Sequence, residues 1–235
     1  MEKKDLNKLK KQAFNANLNI KKEGLVVLTW GNASAINRDL GLFAIKPSGV
    51  SYDLLRWEDM VVVDLKGNII DSKLKPSSDT LTHLEIYKGF QLINGIVHTH
   101  SNWATIWSQS GKNIPTLGTT HADHFYGEIP CIKPLNKSRV ESGYEHETGK
   151  QIVNYFKRKK INPLHMPACL LSGHASFVWG ENISDAFNNA IALESCANMA
   201  FHTLMINKNS KLRDYILRKH FRRKHGKNAY YGQDN

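Results

Sequence analysis

Ile93-Asn94-Gly95-Ile96-Val97-His98-Thr99-His100 joins an apolar run to two histidines one residue apart. Successive side chains of an extended strand point to opposite faces, so His98 and His100 project together while Thr99 turns into the other layer. Two imidazoles a strand-step apart can grip one divalent cation. A third histidine, His174, follows a second apolar run, Ala168-Cys169-Leu170-Leu171, and sits in a Ser-Gly-His turn. Three protein ligands with an open coordination position are the pattern of catalytic rather than structural zinc. The competing reading makes His98 and His100 ordinary polar residues at a strand end, and a short metal motif alone does not separate the two.

The surrounding chain alternates short strands with helices. Leu6, Leu9, Ala13, Ala16 and Ile20 recur at helical spacing with lysines on the other side. Strands are predicted over 26–28, 43–45 and 60–63, with Lys66-Gly67-Asn68 supplying a turn before Ile69-Ile70. Pro76-Ser77-Ser78-Asp79 predicts the start of a helix through Leu81, Leu84 and Tyr87, with serine and aspartate suited to cap it. Ser101 can cap a helix carrying Trp103, Ile106 and Trp107. A longer helix runs from about Asp185, and the tail from about Lys211 is predicted to be helical and basic. Such an alternation predicts a layered α/β fold with a largely antiparallel sheet.

A chain of 235 residues, 41% hydrophobic, can bury a full core. It has no apolar stretch long enough to span a bilayer, and Met1-Glu2-Lys3-Lys4 leads into an amphipathic segment rather than a signal-peptide core. Three scattered cysteines, Cys131, Cys169 and Cys196, form no CxxC pair, which fits a reducing, cytoplasmic setting. The formal charge of +11 raises nucleic-acid binding as a function. No helix-turn-helix, zinc-finger or RNP-like pattern accompanies it, so the lysines read as solvated helix faces and the C-terminal cluster as a lure for an anionic substrate. Neither nucleic acid nor membrane is expected as a partner.

Two small-residue loops could hold a phosphate. Lys46-Pro47-Ser48-Gly49 and Pro76-Ser77-Ser78 offer hydroxyls and backbone N–H groups at a turn or helix start, and Asn32 adds a side-chain amide after Trp30-Gly31. Taken singly, each is a plain turn or cap. Neither GxxxxGK[ST] nor GxGxxG occurs, so the loops together point to a phosphorylated small molecule rather than ATP or NAD. Lys46 also raises a Schiff-base route, which its polar turn disfavours.

Thr29-Trp30-Gly31-Asn32, Ile45-Lys46-Pro47-Ser48-Gly49-Val50, Lys75-Pro76-Ser77-Ser78-Asp79-Thr80, Gly118-Thr119-Thr120-His121-Ala122-Asp123, Arg223-Lys224-His225-Gly226 and the closing Ala229-Tyr230-Tyr231-Gly232-Gln233 carry a resemblance. Together with the His98/His100 segment, they resemble the epimerase branch of the class II aldolase/adducin family, which acts on L-ribulose 5-phosphate. The likeness runs over nearly the whole chain. It implies a three-layer α/β/α domain spanning 1–235, whose basic tail, from about 211, completes a neighbouring subunit's site. It implies one zinc per subunit on His98, His100 and His174, with Asp79 at the same centre; imidazole donors also suit manganese or cobalt. Asn32, Ser48, Gly49, Ser77 and Ser78 are implied as the phosphate site, with Lys46 as a further substrate-binding residue. Asp123 and Tyr231 are implied as the acid/base pair, Thr119 and His220 lying at the same shared site of a homotetramer.

Related phosphate aldolases place a glutamate where Asp79 stands, and that difference favours epimerisation over net aldol cleavage. Inverting C4 of a ketopentose phosphate, which has no acidic hydrogen, defeats simple proton abstraction. A metal-assisted retro-aldol avoids this: the C3–C4 bond breaks to an enediolate of dihydroxyacetone and glycolaldehyde phosphate, the aldehyde rotates, and the bond re-forms. Two proton-handling groups on opposite faces suit that scheme. A phosphate aldolase releasing its fragments and a metal-free adducin-like scaffold are the alternatives. The stretch Leu171-Ser172-Gly173-His174-Ala175-Ser176-Phe177 departs from the family around the third ligand, and Asp234-Asn235 extend past the usual ending.

Overall fold

In the computed structural model, which describes residues 3–226 and 229–231, the predicted apolar stripe becomes the buried face of helix α1 (Lys3–Lys22). Leu6, Leu9 and Ala13 lie against Ala35, Leu42, Ala44 and Val62, all on one face of the sheet. That sheet begins as a meander of β1 (Asn32–Asn37), β2 (Leu42–Ile45), β3 (Val61–Asp64) and β4 (Ile69–Asp71). A 3-10 turn at Trp57–Asp59 precedes β3. Alternation along β2 and β3 sends Phe43, Ile45, Val61 and Val63 to the opposite face, into the second part of the core.

The second half adds α2 (Thr80–Gly89), β5 (Gly95–Thr99), α3 (Asn102–Ser110), the single turn α4 (Thr119–Ala122), β6 (Cys131–Ile132) and α5 (Lys137–Lys159). It closes with β7 (Ala168–Leu171), β8 (Ser176–Gly180), α6 (Ile183–Ile206) and α7 (Asp214–His225). All eight strands join one sheet in the order β4-β3-β2-β1-β5-β8-β7-β6, antiparallel except for the β6–β7 pair. Helices α1 and α6 cover one face. Helices α2 and α5 cover the other, where Tyr87 meets Phe43 at 5.5 Å and Phe90 sits 5.4 Å from Trp179. The layered α/β reading with its largely antiparallel sheet is the architecture observed.

Three local expectations change. Residues 26–28 form no strand: Trp30 N–H closes a turn onto the Val27 carbonyl at 3.0 Å, and Leu28 takes a φ of 53°. Pairing starts instead at Asn32, directly after Gly31 at φ +88°, and β1 is built from small residues that the β-branched pattern does not flag. The start of α2 is not capped by Asp79, whose backbone is already helical and whose carboxylate turns to Asn32. The start of α3 is not capped by the Ser101 side chain either. Glu194 of α6 accepts from the N–H groups of Trp103 (2.8 Å) and Ala104 (3.0 Å), a carboxylate satisfying orphan donors at the positive end of a helix. The polar helix α5 is absent from the sequence reading. Among the described residues no helix is long and apolar enough to cross a membrane.

Candidate active site

Register places the histidines. Asn32 of β1 pairs with His98 of β5, and His98 pairs in turn with Phe177 of β8. Alternation then aims His98 and His100 toward the α2 side, and the β7–β8 turn lifts His174 over the same edge. Ring centroids are 5.0 Å apart for His98–His100, 5.1 Å for His98–His174 and 5.0 Å for His100–His174. One ligand atom from each lies within 4.8 Å of the others.

These side chains fit a divalent cation. His98 Nδ1 donates to the Ser176 carbonyl at 2.8 Å, and the ring stacks on Phe177 at 4.2 Å, so Nε2 is the atom left to bind. Tyr144 Oη lies 3.2 Å from His174 Nδ1, which leaves Nε2 free there as well. Burial pushes all three imidazoles below their ordinary range, His174 to about 4, and thus favours the neutral form a metal requires.

Asp79 stands beside the trio rather than in it. Its Oδ2 is 3.9 Å from His98 Nε2 and accepts from Asn32 Nδ2 at 2.8 Å. Burial would raise this carboxyl; the nearby His98, His83 and the Asn32 hydrogen bond outweigh that and hold it below its usual range. Asn32 Nδ2 also donates to Ser77 Oγ at 3.0 Å, while its buried Oδ1 has no partner among the described residues.

The two small-residue loops are stitched into one wall. Ser48 N–H donates to the Lys75 carbonyl (3.0 Å) and Ser77 N–H to the Lys46 carbonyl (2.9 Å). Ser48, Gly49, Ser77 and Ser78 consequently share a cavity of about 490 Å³ with Asn32, Lys46, Asp79 and the three histidines. Lys46 is 2% exposed and ion-pairs with no carboxylate among the described residues. Its Nζ donates to the Val50 carbonyl at 2.6 Å and lies 4.8 Å from the centre of the Tyr52 ring. Burial pulls its pKa down to about 8. A buried cation and hydroxyls beside a histidine trio able to hold a metal suit a phosphorylated oxygen-rich ligand.

Asp123, Thr119, His220 and Tyr231 gather elsewhere. Asp123 ends α4, its N–H on the Thr119 carbonyl at 2.9 Å, and α7 lies across it. Arg223 donates to both carboxylate oxygens (2.6 and 3.0 Å), His220 Nδ1 lies 3.2 Å from Oδ1, and Arg223 Cζ sits 4.7 Å from the Tyr231 ring centre. Asp123 and Tyr231 line a separate cavity of about 340 Å³, whose walls share no residue with the histidine cavity. Within one chain, then, the site residues read from the sequence fall into two groups. Gly232, Gln233, Asp234 and Asn235 lie outside the described residues. The sequence reading missed Tyr144, which no motif marks, and the role of Arg223, which stood inside the quoted Arg-Lys-His-Gly segment without a partner assigned.

Residues 11–201 match the family described as Class II Aldolase and Adducin N-terminal domain. Proteins named L-ribulose-5-phosphate 4-epimerase UlaF, from Salmonella paratyphi A and Salmonella typhi, are 48% identical over 229 residues, covering 97% of this chain and 100% of theirs. Among solved structures, an L-fuculose 1-phosphate aldolase superposes with a TM-score of 0.75 at 22% identity, over 91% of this chain and 94% of that one. The L-fuculose-1-phosphate aldolase of Thermus thermophilus gives a TM-score of 0.69 at 23% identity, over 87% and 98%. These structural likenesses bear on the fold alone, and they agree with the eight-stranded sheet. Fold, sequence match and near-complete coverage by 48% identical relatives together establish that this chain belongs to the class II aldolase and adducin family.

Proposed function

We propose that the protein is a zinc-dependent L-ribulose-5-phosphate 4-epimerase, inverting C4 to give D-xylulose 5-phosphate by retro-aldol cleavage and re-addition. One observation carries the reading: three clustered imidazoles open onto the same cavity as the Lys46/Ser48/Ser77 loops. The epimerase name of the 48% identical relatives supports it.

When bound by His98, His100 and His174, the cation supplies Lewis-acid polarisation of the substrate's carbonyl. The chain's own residues do the rest. Ser48, Gly49, Ser77, Ser78 and Lys46 bind the phosphate, and Asn32 joins that wall to Asp79. Asp79 adds a fixed negative charge that keeps the imidazole cluster in register. Asp123 holds or releases the C4 hydroxyl proton on one face and Tyr231 does so on the other, because the oxygen points differently in the two epimers. The separate cavity lined by Asp123 and Tyr231, with His220 and Thr119 in contact with Asp123 beside it, supports a homotetramer in which a neighbour's tail closes each site. The chain then works as one catalytic domain of the cytoplasm, in pentose catabolism.

Mixing the zinc-loaded protein with L-ribulose 5-phosphate tests the reading. Appearance of D-xylulose 5-phosphate without net glycolaldehyde phosphate is expected. Accumulation of glycolaldehyde phosphate would convert the assignment to a phosphate aldolase, and no turnover at full metal occupancy would end it.

A further inference from the structure

Tyr144 owes its place to a break in a helix. Gly143 interrupts α5 with φ 140° and ψ 85°, a conformation that side-chain-bearing residues rarely adopt. The chain restarts as helix at Tyr144, and this second segment is fastened to α2, where Thr82 Oγ1 donates to the Glu145 carbonyl at 2.7 Å. Because α2 begins immediately after Asp79, the same anchor sets Tyr144 over the end of the sheet that carries the histidines.

The three imidazoles are not equally constrained. His98 is 1% exposed, bonded to the Ser176 carbonyl and stacked on Phe177. His174 is partly exposed on a turn following Gly173, whose φ is +75°. The hydrogen bond found at its ring is the one between Nδ1 and Tyr144 Oη, at 3.2 Å with ring centres 6.0 Å apart. A neutral imidazole that binds a cation through Nε2 carries its proton on Nδ1 and needs an acceptor there. A phenol oxygen fixed on a helix provides one.

We infer that Tyr144 is a positioning residue for the metal centre: its hydroxyl accepts from His174 Nδ1–H, selecting the tautomer and ring orientation that present Nε2 to the ion. The inference rests on the metal reading of the histidine trio. It also accounts for Gly143, since a straight helix would carry residue 144 away from the β7–β8 turn.

The test is the variant Tyr144→Phe, which keeps the ring and removes the acceptor. Zn²⁺ affinity of the full chain is measured by competition with a chromophoric chelator, and the geometry is read from the visible absorption of the Co²⁺-loaded protein. Loss of an outer-shell partner costs about 10- to 100-fold in affinity, and that weakening is expected here together with an altered Co²⁺ spectrum. The melting temperature of the metal-free protein should stay put. Wild-type affinity and spectrum for Tyr144→Phe, or a weakened affinity accompanied by a lowered melting temperature of the metal-free variant, overturns the inference. Tight metal binding without epimerisation by the wild type would sink the substrate reading while leaving this one standing. An active wild type with an unaffected Tyr144→Phe variant would sink this one alone.

Discussion

Arg223 holds both carboxylate oxygens of Asp123, Nη2 to Oδ2 at 2.6 Å and Nε to Oδ1 at 3.0 Å. The pairing crosses from α7 to α4 and joins residues 100 positions apart in the chain. Burial would raise the Asp123 carboxyl. The hydrogen bonds from Arg223 and His220 outweigh it and hold the group below the ordinary carboxylate range. Arg223 simultaneously faces the Tyr231 ring, so one guanidinium touches both residues assigned to proton handling.

We predict that Arg223→Met moves the acidic limb of the kcat/KM profile upward by about one to two pH units, the shift typical of losing a paired cation. A base must be ionised to act, so raising its pKa withdraws activity from the acidic side. Arg223→Lys should shift the limb less, because one donor replaces a two-pronged clasp. A profile unchanged in both variants would remove Asp123 as the base.

Lys46 predicts a limb on the other side. Its ammonium is charged below about 8 and neutral above. The kcat/KM for a phosphorylated substrate should therefore fall as pH rises through that value. Bound phosphate restores the charge, so kcat should fall only at higher pH. Lys46→Met should raise KM by about 10- to 100-fold, the loss of one charge-assisted hydrogen bond. Survival of the alkaline limb in that variant would assign it to another group.

For the metal centre we expect His98→Ala or His100→Ala to abolish most bound zinc and activity, two imidazoles being too few for a stable catalytic site. An ion that binds the folded chain alone also stabilises it. A chelator should therefore lower the melting temperature of the wild type and leave that of His98→Ala unmoved. Full zinc occupancy in either variant, measured by elemental analysis, would refute the ligand assignment.

Truncation after Ala229 should leave the melting temperature nearly unchanged, since Tyr230 and Tyr231 are 64% and 57% exposed. Turnover should fall by about 10²- to 10⁴-fold, the usual contribution of a general acid or base. Steady-state kinetics on the shortened chain decide it; unimpaired kcat excludes Tyr231 from the reaction.

Gly31→Ala probes how backbone and site are coupled. The residue sits at φ +88°, and an added Cβ would lie 2.7 Å from the His98 carbonyl oxygen. Strain of about 1–3 kcal/mol is expected, lowering stability in denaturant and weakening metal binding through β5. Unchanged stability would mean that the β1–β5 pairing relaxes without moving His98.

Much of the site is visible in order along the chain because strand geometry has a period of two. His98 and His100 had to share a face once their segment was extended, and Asp79 had to stand at the start of α2. The loops 46–49 and 76–78 were legible as anion sites one at a time. Their union was not, because the hydrogen bonds from Ser48 to Lys75 and from Ser77 to Lys46 connect segments about thirty residues apart. The misplaced strand at 26–28 has a similar cause. Val26, Val27 and Leu28 carry strand-like side chains, yet the partner strand β5 pairs with the small residues from Asn32 onward. Helix α5 escaped because its apolar positions are too sparse to show a stripe.

By itself the sequence determined the α/β alternation, the shared face of His98 and His100, the basic tail and the family. Those follow from local periodicity and from motifs whose residues are neighbours in the chain. Tertiary structure alone decided that Tyr144 sits on the His174 ring, that Lys46 loses water and with it part of its basicity, and that Asp123 is clasped by Arg223 in a cavity apart from the histidine trio. Each of these depends on desolvation or on hydrogen bonds between segments far apart in the chain, and neither is encoded in spacing.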